Sequence, residues 1–263
     1  MLNQETRSTI AQQIFDCFTH RRQIPLLTQS HPEIEVEDAY RIQEQVISRF
    51  QADGRQVKGY KIGLTSEVMQ QMAGTTEPDY SSVLDHMFVE SGSCLKCDDF
   101  SDPLIEIEIA FVMKQTLKGP GITEADVAAA TDYILPSIEL VDFRVARAPG
   151  MDVRDTIADL AAVGCVSLGS QPKRLDEVEL GAIRGDLIIN GSVQESGAAA
   201  AVLGNPLTAV AWLANKLSEF GIAFEAGDVA FSGSFVRAIP VQAGDSVIAR
   251  FDSGLGDVSL QFD

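Results

Sequence analysis

The chain has 263 residues, enough for one large domain or one domain with a small appendage. Hydrophobic residues make up 45% and charged residues 22%, which excludes wholesale disorder and a fibrous repeat. A net charge of −18 with no basic stripe argues against nucleic acid and anionic membranes as partners. In chain order, residues 5–22 place Ile10, Ile14, Phe15 and Phe18 at helical spacing. Residues 36–50 repeat that period with Val36, Ala39, Tyr40, Ile42, Val46 and Ile47, and Gly54 ends the helix. Residues 1–55 are therefore expected as a small helical segment and 56–263 as a β-rich domain. Strands are expected over 57–64, 105–113, 133–142, 163–168 and 184–189, the last followed by the hairpin signal Asn190-Gly191. Residues 66–72 read as one or two helical turns, and 76–80 as a turn or loop because Pro78 biases Glu77 away from helix. Helices are expected over 123–131, opened by Thr123, and over 207–220, closed by Gly221. The end alternates strand and turn over 228–232, 246–251 and 258–262. Regular βα alternation is missing, which argues against a doubly wound sheet.

The start lacks the apolar stretch of a signal peptide, and no apolar run reaches the ~18–20 residues that a membrane span needs. The four cysteines are too sparse for a disulfide framework, and Cys94 and Cys97 have a CxxC spacing without a second metal-binding pair. The expectation is a soluble, cytoplasmic protein with no membrane partner.

Four constellations could carry chemistry. In PLIEIEIAFV (103–112), Glu106 and Glu108 share one face of a strand, with Ile105, Ile107 and Ile109 on the other. A solvated strand face gives the same alternation. In YILPSIELVD (133–142), however, Glu139 interrupts an apolar strand, where a carboxylate must be paired, protonated or metal-bound. Three converging carboxylates suit Mg²⁺, Mn²⁺ or Ca²⁺ rather than zinc. His20, His31 and His86 sit in no ligand spacing. Lys61, in KGYKIGLTS (58–66), is either an edge-strand lysine or a cation beside an anionic substrate. EPDY (77–80) contains the acid Asp79 in what looks like a turn. FSGSFVR (231–237) exposes backbone N–H groups and a hydroxyl able to hold an oxyanion. No GxGxxG or GxxxxGK[ST] is present, so nucleotide binding has no support.

These segments, with DTIAD (155–159), GAAAAVLGNP (197–206), AVAWLANKL (209–217) and FSGSFVRAIPVQAGD (231–245), resemble the 2-keto-4-pentenoate hydratase family in order over nearly the whole chain. The resemblance implies an α+β fold: a mixed, mostly antiparallel β-sheet or roll of the fumarylacetoacetate hydrolase C-terminal type. It makes 56–263 the metal-binding catalytic domain. It implies Mg²⁺ or Mn²⁺ on Glu106, Glu108 and Glu139, chelated by the C1 carboxylate and C2 oxygen of a 2-oxo or 2-hydroxydienoic acid. Lys61 and Asp79 match the family's active-site lysine and acid. Leu64, Tyr80, Gly233 and Ser234 would line the substrate pocket, and Arg237 would meet a second carboxylate. A homo-oligomer, pentamer or decamer, is implied as well.

The implied reaction is hydration of a 2-hydroxy-2,4-dienoate from aromatic meta-cleavage, with 2-oxohept-4-ene-1,7-dioate as a dicarboxylic example. Ketonisation with protonation at C5 makes C4 electrophilic, and water then adds there. The alternatives are a sibling 4-oxalocrotonate-type decarboxylase, disfavoured by Asp79 and SGSF, and a non-catalytic partner subunit. Hydrolysis of fumarylpyruvate-type C–C bonds lacks a His–Glu pair to activate water. Leu160 stands where the family usually has Asn, so a change in pocket polarity is expected there.

Overall fold

A computed structural model describes residues 1–263. Helix α1 (Gln4–His20) begins where Asn3 accepts from the Thr6 amide, and ends at a left-handed Arg21. The single turn α2 (Leu27–Ser30) leads to α3 (Val36–Ala52), closed at its start by reciprocal bonds between Glu35 and Asp38. Beyond lie β1 (Val57–Gly63), α4 (Glu67–Met72), β2 (Asp79–Leu84), β3 (Phe88–Glu90), β4 (Cys94–Leu95) and β5 (Leu104–Met113). Next come α5 (Glu124–Ala130), β6 (Thr131–Val141), α6 (Val153–Ala158), β7 (Val163–Leu168), β8 (Arg184–Ile189) and β9 (Ser192–Ala198). The chain finishes with α7 (Pro206–Glu219), β10 (Val229–Phe231), β11 (Ile239–Pro240), β12 (Ser246–Phe251) and β13 (Gly256–Phe262).

The fold is α+β. One curled sheet runs β2-β1-β10-β5-β6-β7-β3, with β11 paired to β5, and a smaller one runs β4-β13-β12-β8-β9. Most pairings are antiparallel; β1–β10, β3–β7 and β4–β13 are parallel. Strand β5 is central because it can bury both faces. Ile105, Ile107, Ile109 and Phe111 enter the main core, and Glu106 and Glu108 take the opposite face. Helix α1 packs on α3, and α2 and α3 in turn rest on α6, with α3 also reaching β2. Gln43 donates to the carbonyls of Tyr80 and Ile157, and Tyr40 stacks on Tyr80 with ring centroids 4.9 Å apart. Asp155 receives the amides of Leu27 and Thr28 and the Thr28 hydroxyl. The same hydrophobic cluster holds Ile10, Ile42 and Val46 with Ile107 and Val166, so helices and sheets share one core. No helix is long and apolar enough to cross a membrane.

One element differs from the sequence expectation. Asp79 and Tyr80 open strand β2 rather than forming a loop. All six residues of β2 are buried, so no polar and apolar alternation marks it. Residues 153–158, for which no element is expected from the sequence, form helix α6, capped by Asp152, whose side chain accepts from the Arg154 amide.

Candidate active site

The register of β5 on β6 places Glu106 opposite Glu139 and Glu108 opposite Ser137. The three carboxylates thus meet on one face, with an oxygen from each within 4.8 Å of the others. Glu108 and Glu139 are completely buried, which removes the solvated-face reading of this strand. Lys61 comes from β1, two strands from β5, and its Nζ lies 3.3 Å from Glu139 Oε1. Asp79 sits on β2 directly opposite Gly63. A Cβ at Gly63 would stand 2.2 Å from Asp79 Oδ1, so only glycine leaves room for that carboxyl. The Gly233 amide donates to Glu108 Oε2 at 3.0 Å. Its φ of +94° and its contact with Thr65 likewise require glycine.

Burial, reinforced by Glu139, pushes the Glu106 carboxyl up to about 7. Burial and the two neighbouring glutamates hold Glu108 well above the ordinary carboxylate range. Burial raises Glu139 and Asp79 too, with Lys61 opposing in both cases. At Lys61 burial favours the neutral amine, but Glu139, Asp79, Glu106 and Glu108 outweigh it and keep the ammonium charged. Glu108 Oε1, both Glu139 oxygens and Asp79 Oδ1 are buried without a hydrogen bond. Oxygen atoms this crowded and unsatisfied fit a hard divalent cation held by Glu106, Glu108 and Glu139.

A cavity of about 690 Å³ opens beside this cluster. Lys61, Asp79, Glu106, Leu64, Ser234 and Arg237 line it. Glu108, Glu139 and Gly233 stand behind the lining, whereas Tyr80 does not reach it at all. Its ring points the other way from Asp79 and packs against Tyr40 and Phe220. Ser234 Oγ is occupied by backbone, bonding the Val236 carbonyl at 2.8 Å. Arg237 is 77% exposed and paired with Glu195 at 2.6 Å.

Several residues that single-sequence reasoning passed over also shape the site. Thr156 of α6 donates to Asp79 Oδ2 at 3.2 Å. The Ala161 carbonyl accepts from Lys61 Nζ at 2.7 Å. That carbonyl lies in a turn where Leu160, Ala161 and Ala162 all have positive φ, between 45° and 56°. Non-glycine residues enter this region only when surrounding contacts compel them. Here the compulsion comes from Asp159, whose carboxylate receives Arg144 Nε at 2.6 Å and the amides of Arg144 and Val145. Arg144 is itself buried and bonds the carbonyls of Asp159 and Val163. Leu160 is fully buried in the core, and Ala161 and Ala162 face the cavity. Its effect is therefore on backbone strain, since Asn tolerates this conformation better, and not on the polarity of the wall. A backbone acceptor leaves no side-chain signal in sequence; DTIAD is the one pointer to this region.

No protein-family model matches the chain. A 2-oxo-hept-4-ene-1,7-dioate hydratase of Escherichia coli is 41% identical over the whole of both chains. The solved 4-oxalocrotonate decarboxylase of Pseudomonas putida G7, complexed with magnesium and adipate, is 36% identical. It superposes with a TM-score of 0.96 over 100% of this chain and 99% of that one. A fumarylacetoacetate hydrolase family protein of Yersinia pestis shares the fold at 17% identity and a TM-score of 0.57, covering 79% of this chain and 92% of that one. The fold class is thus fumarylacetoacetate-hydrolase-like. Within it, the chain belongs to the family of 2-keto-4-pentenoate and 2-oxohept-4-ene-1,7-dioate hydratases.

Proposed function

We propose that this chain is a divalent-metal-dependent hydro-lyase that hydrates a 2-hydroxy-2,4-dienoate of aromatic meta-cleavage, in particular a dicarboxylic one such as 2-oxohept-4-ene-1,7-dioate. The observation that carries this reading is the buried cluster of three glutamates, Lys61 and Asp79 at the end of a largely apolar cavity. Relatives named as hydratases support the reaction, and a related structure complexed with magnesium and adipate supports both the metal and a dicarboxylate. Bound by Glu106, Glu108 and Glu139, Mg²⁺ or Mn²⁺ would supply Lewis-acid polarisation of the 2-oxo group.

The chain's own groups account for the rest. Lys61, kept charged and aimed by the Ala161 carbonyl, neutralises the substrate carboxylate and the enolate. Asp79 Oδ1 carries the mobile proton: burial favours its protonated form, and Thr156 holds only the other oxygen. The enol proton is lost and a proton reaches C5; the hydroxyl of water then joins C4 and its proton goes to C3, so the product is the substrate plus one water. Leu64 and Val68 give the cavity wall an apolar surface. Gly233 and Ser234 shape the floor through their bonds to Glu108 and to the β5 backbone.

Purified protein with Mg²⁺ should abolish the ultraviolet absorbance of a 2-hydroxydienoate. Unchanged absorbance would overturn the assignment. The 36% identical decarboxylase supports a second reading, CO₂ release from a 4-oxalocrotonate-type diacid, which the same preparation tests by gas evolution. The proposal extends to a cytoplasmic homo-oligomer, supported by the exposed Val68 and Met72 beside the cavity, and light scattering reads the subunit number.

A further inference from the structure

Two arginines, Arg147 and Arg237, line the cavity. Their stations along β5 differ. Arg237 falls in the segment between Ser234, whose hydroxyl donates to the Ile107 carbonyl, and Ile239, which pairs with Ile105, and so lies beside Glu106. Arg147 lies at the other end. Its Nε and Nη2 grip the two oxygens of Asp102 at 2.5 and 2.8 Å, and Asp102 precedes Glu106 by four residues. Strand β5 begins at Leu104, so Asp102 lies beyond that end of the strand, with Leu104 between it and Glu106.

The surface between the two ends is apolar. On the face that carries Glu106 and Glu139, the next pair along the ladder is Leu104 opposite Val141. These pack with Ala162, Phe143 and Ala238 into a separate hydrophobic cluster, and all five line the cavity. Phe143 also lies under the Arg147 guanidinium, 5.2 Å from ring centroid to Cζ. The cavity therefore has a charged head at Glu106 and Lys61, an apolar middle and one guanidinium at its far end.

We propose that Arg147, aimed by Asp102 and Phe143, is the receptor for the far carboxylate of a dicarboxylic 2-oxo acid whose 2-oxo acid head lies at Glu106 and Lys61. The proposal rests on the reading of this cavity as a 2-oxo acid site and adds to it the residue that selects diacids. Asp102 occupies only the Nε–Nη2 edge of the fork. Nη1 makes no hydrogen bond, so the end-on edge is free for a second carboxylate. Asp102 fixes the arginine's direction without using up its donors. The apolar middle matches the carbon chain of a diacid and offers nothing to a shorter polar one. Arg237 lacks this placement, being level with the head group and tied to Glu195 out in solvent.

The test compares two saturated ligands of equal chain length, 2-oxoheptanedioate and 2-oxoheptanoate, titrated calorimetrically into the Mg²⁺-loaded protein. The native chain is expected to prefer the diacid by about tenfold or more, the size of one bidentate carboxylate pair. Arg147→Met should bring the two affinities within about twofold of each other, chiefly by weakening the diacid, while Arg237→Met keeps the preference. Both side chains are substantially exposed, so neither change opens the core. Equal affinities in the native chain, absence of binding, or a preference that survives Arg147→Met would overturn the proposal. Its failure is separable from that of the hydratase reading. An Arg147-dependent preference without loss of dienoate absorbance removes the reaction and keeps the receptor, whereas hydration with no diacid preference does the reverse.

Discussion

Glu108 and Glu139 are completely buried, and three of their four carboxylate oxygens lack hydrogen bonds. Such groups are costly unless a cation joins them. Glu139→Gln is accordingly expected to remove calorimetrically detectable Mg²⁺ binding and to lower turnover by about a hundredfold or more. Protons compete for the same oxygens. Glu106 is raised from the ordinary 4.5 to about 7, so the metal-free fold is stabilised at low pH and loses that contribution as pH climbs through about 7. Cation binding displaces those protons. The gain in melting temperature on adding Mg²⁺ should therefore shrink as pH drops from about 8 to about 6; a constant gain across that range would contradict the assignment. Gly63 tests the acid. Its substitution by alanine drives a methyl group into Asp79 Oδ1, and kcat should fall by about tenfold to a hundredfold with little change in Mg²⁺ affinity.

At the scale of elements, the left-handed turn of Leu160, Ala161 and Ala162 joins the scaffold to Lys61. Its strain is sustained by the buried Arg144–Asp159 pair, and Phe18 of α1 covers the Arg144 guanidinium at 4.3 Å. Arg144→Met leaves the buried Asp159 carboxyl without its ion-pair partner in the interior. The expected loss is about 3–5 kcal/mol of stability, seen as a lowered denaturation midpoint. Strand β2 and helix α6 act together: one carries Asp79 and the other supplies Thr156. Thr156→Val should leave the fold intact, because a β-branched side chain of similar shape remains. It should move the acid limb of the kcat/KM pH profile, which a purely structural threonine would not do.

Over the whole molecule, the N-terminal helices share the hydrophobic core of the sheets. Residues 1–55 supply the Tyr40 stack on Tyr80, the Gln43 bonds to β2 and α6, and the Leu27 and Thr28 amides that satisfy Asp155. Expressed alone, residues 56–263 are expected to be insoluble or to melt without cooperativity, since a shared core would be laid open. A soluble, cooperatively folding 56–263 fragment would show instead that the helical segment and the β-rich domain are independent units. The charge of −18 acts at this scale too: it favours solubility and specifies no ligand.

Much of the site was legible from residue order alone. The alternation of Glu106 and Glu108 with isoleucines put both acids on one strand face, and Glu139 stood out because an apolar run has no reason to tolerate a lone carboxylate. Local patterning carries that information, as it does for α3 and α7. It could not show that β2 is a strand, because burial on both faces erases the alternation. Nor could it pair Arg144 with Asp159, aim the Ala161 carbonyl at Lys61 or bring Arg147 to the far end of the cavity. Those contacts join segments distant in the chain, and buried charges are spelled with the same letters as surface ones. Sequence thus determined which groups are available and on which faces, through periods of two and 3.6 residues. Strand order and register, set by how the sheets curl around one core, decided which of those groups meet.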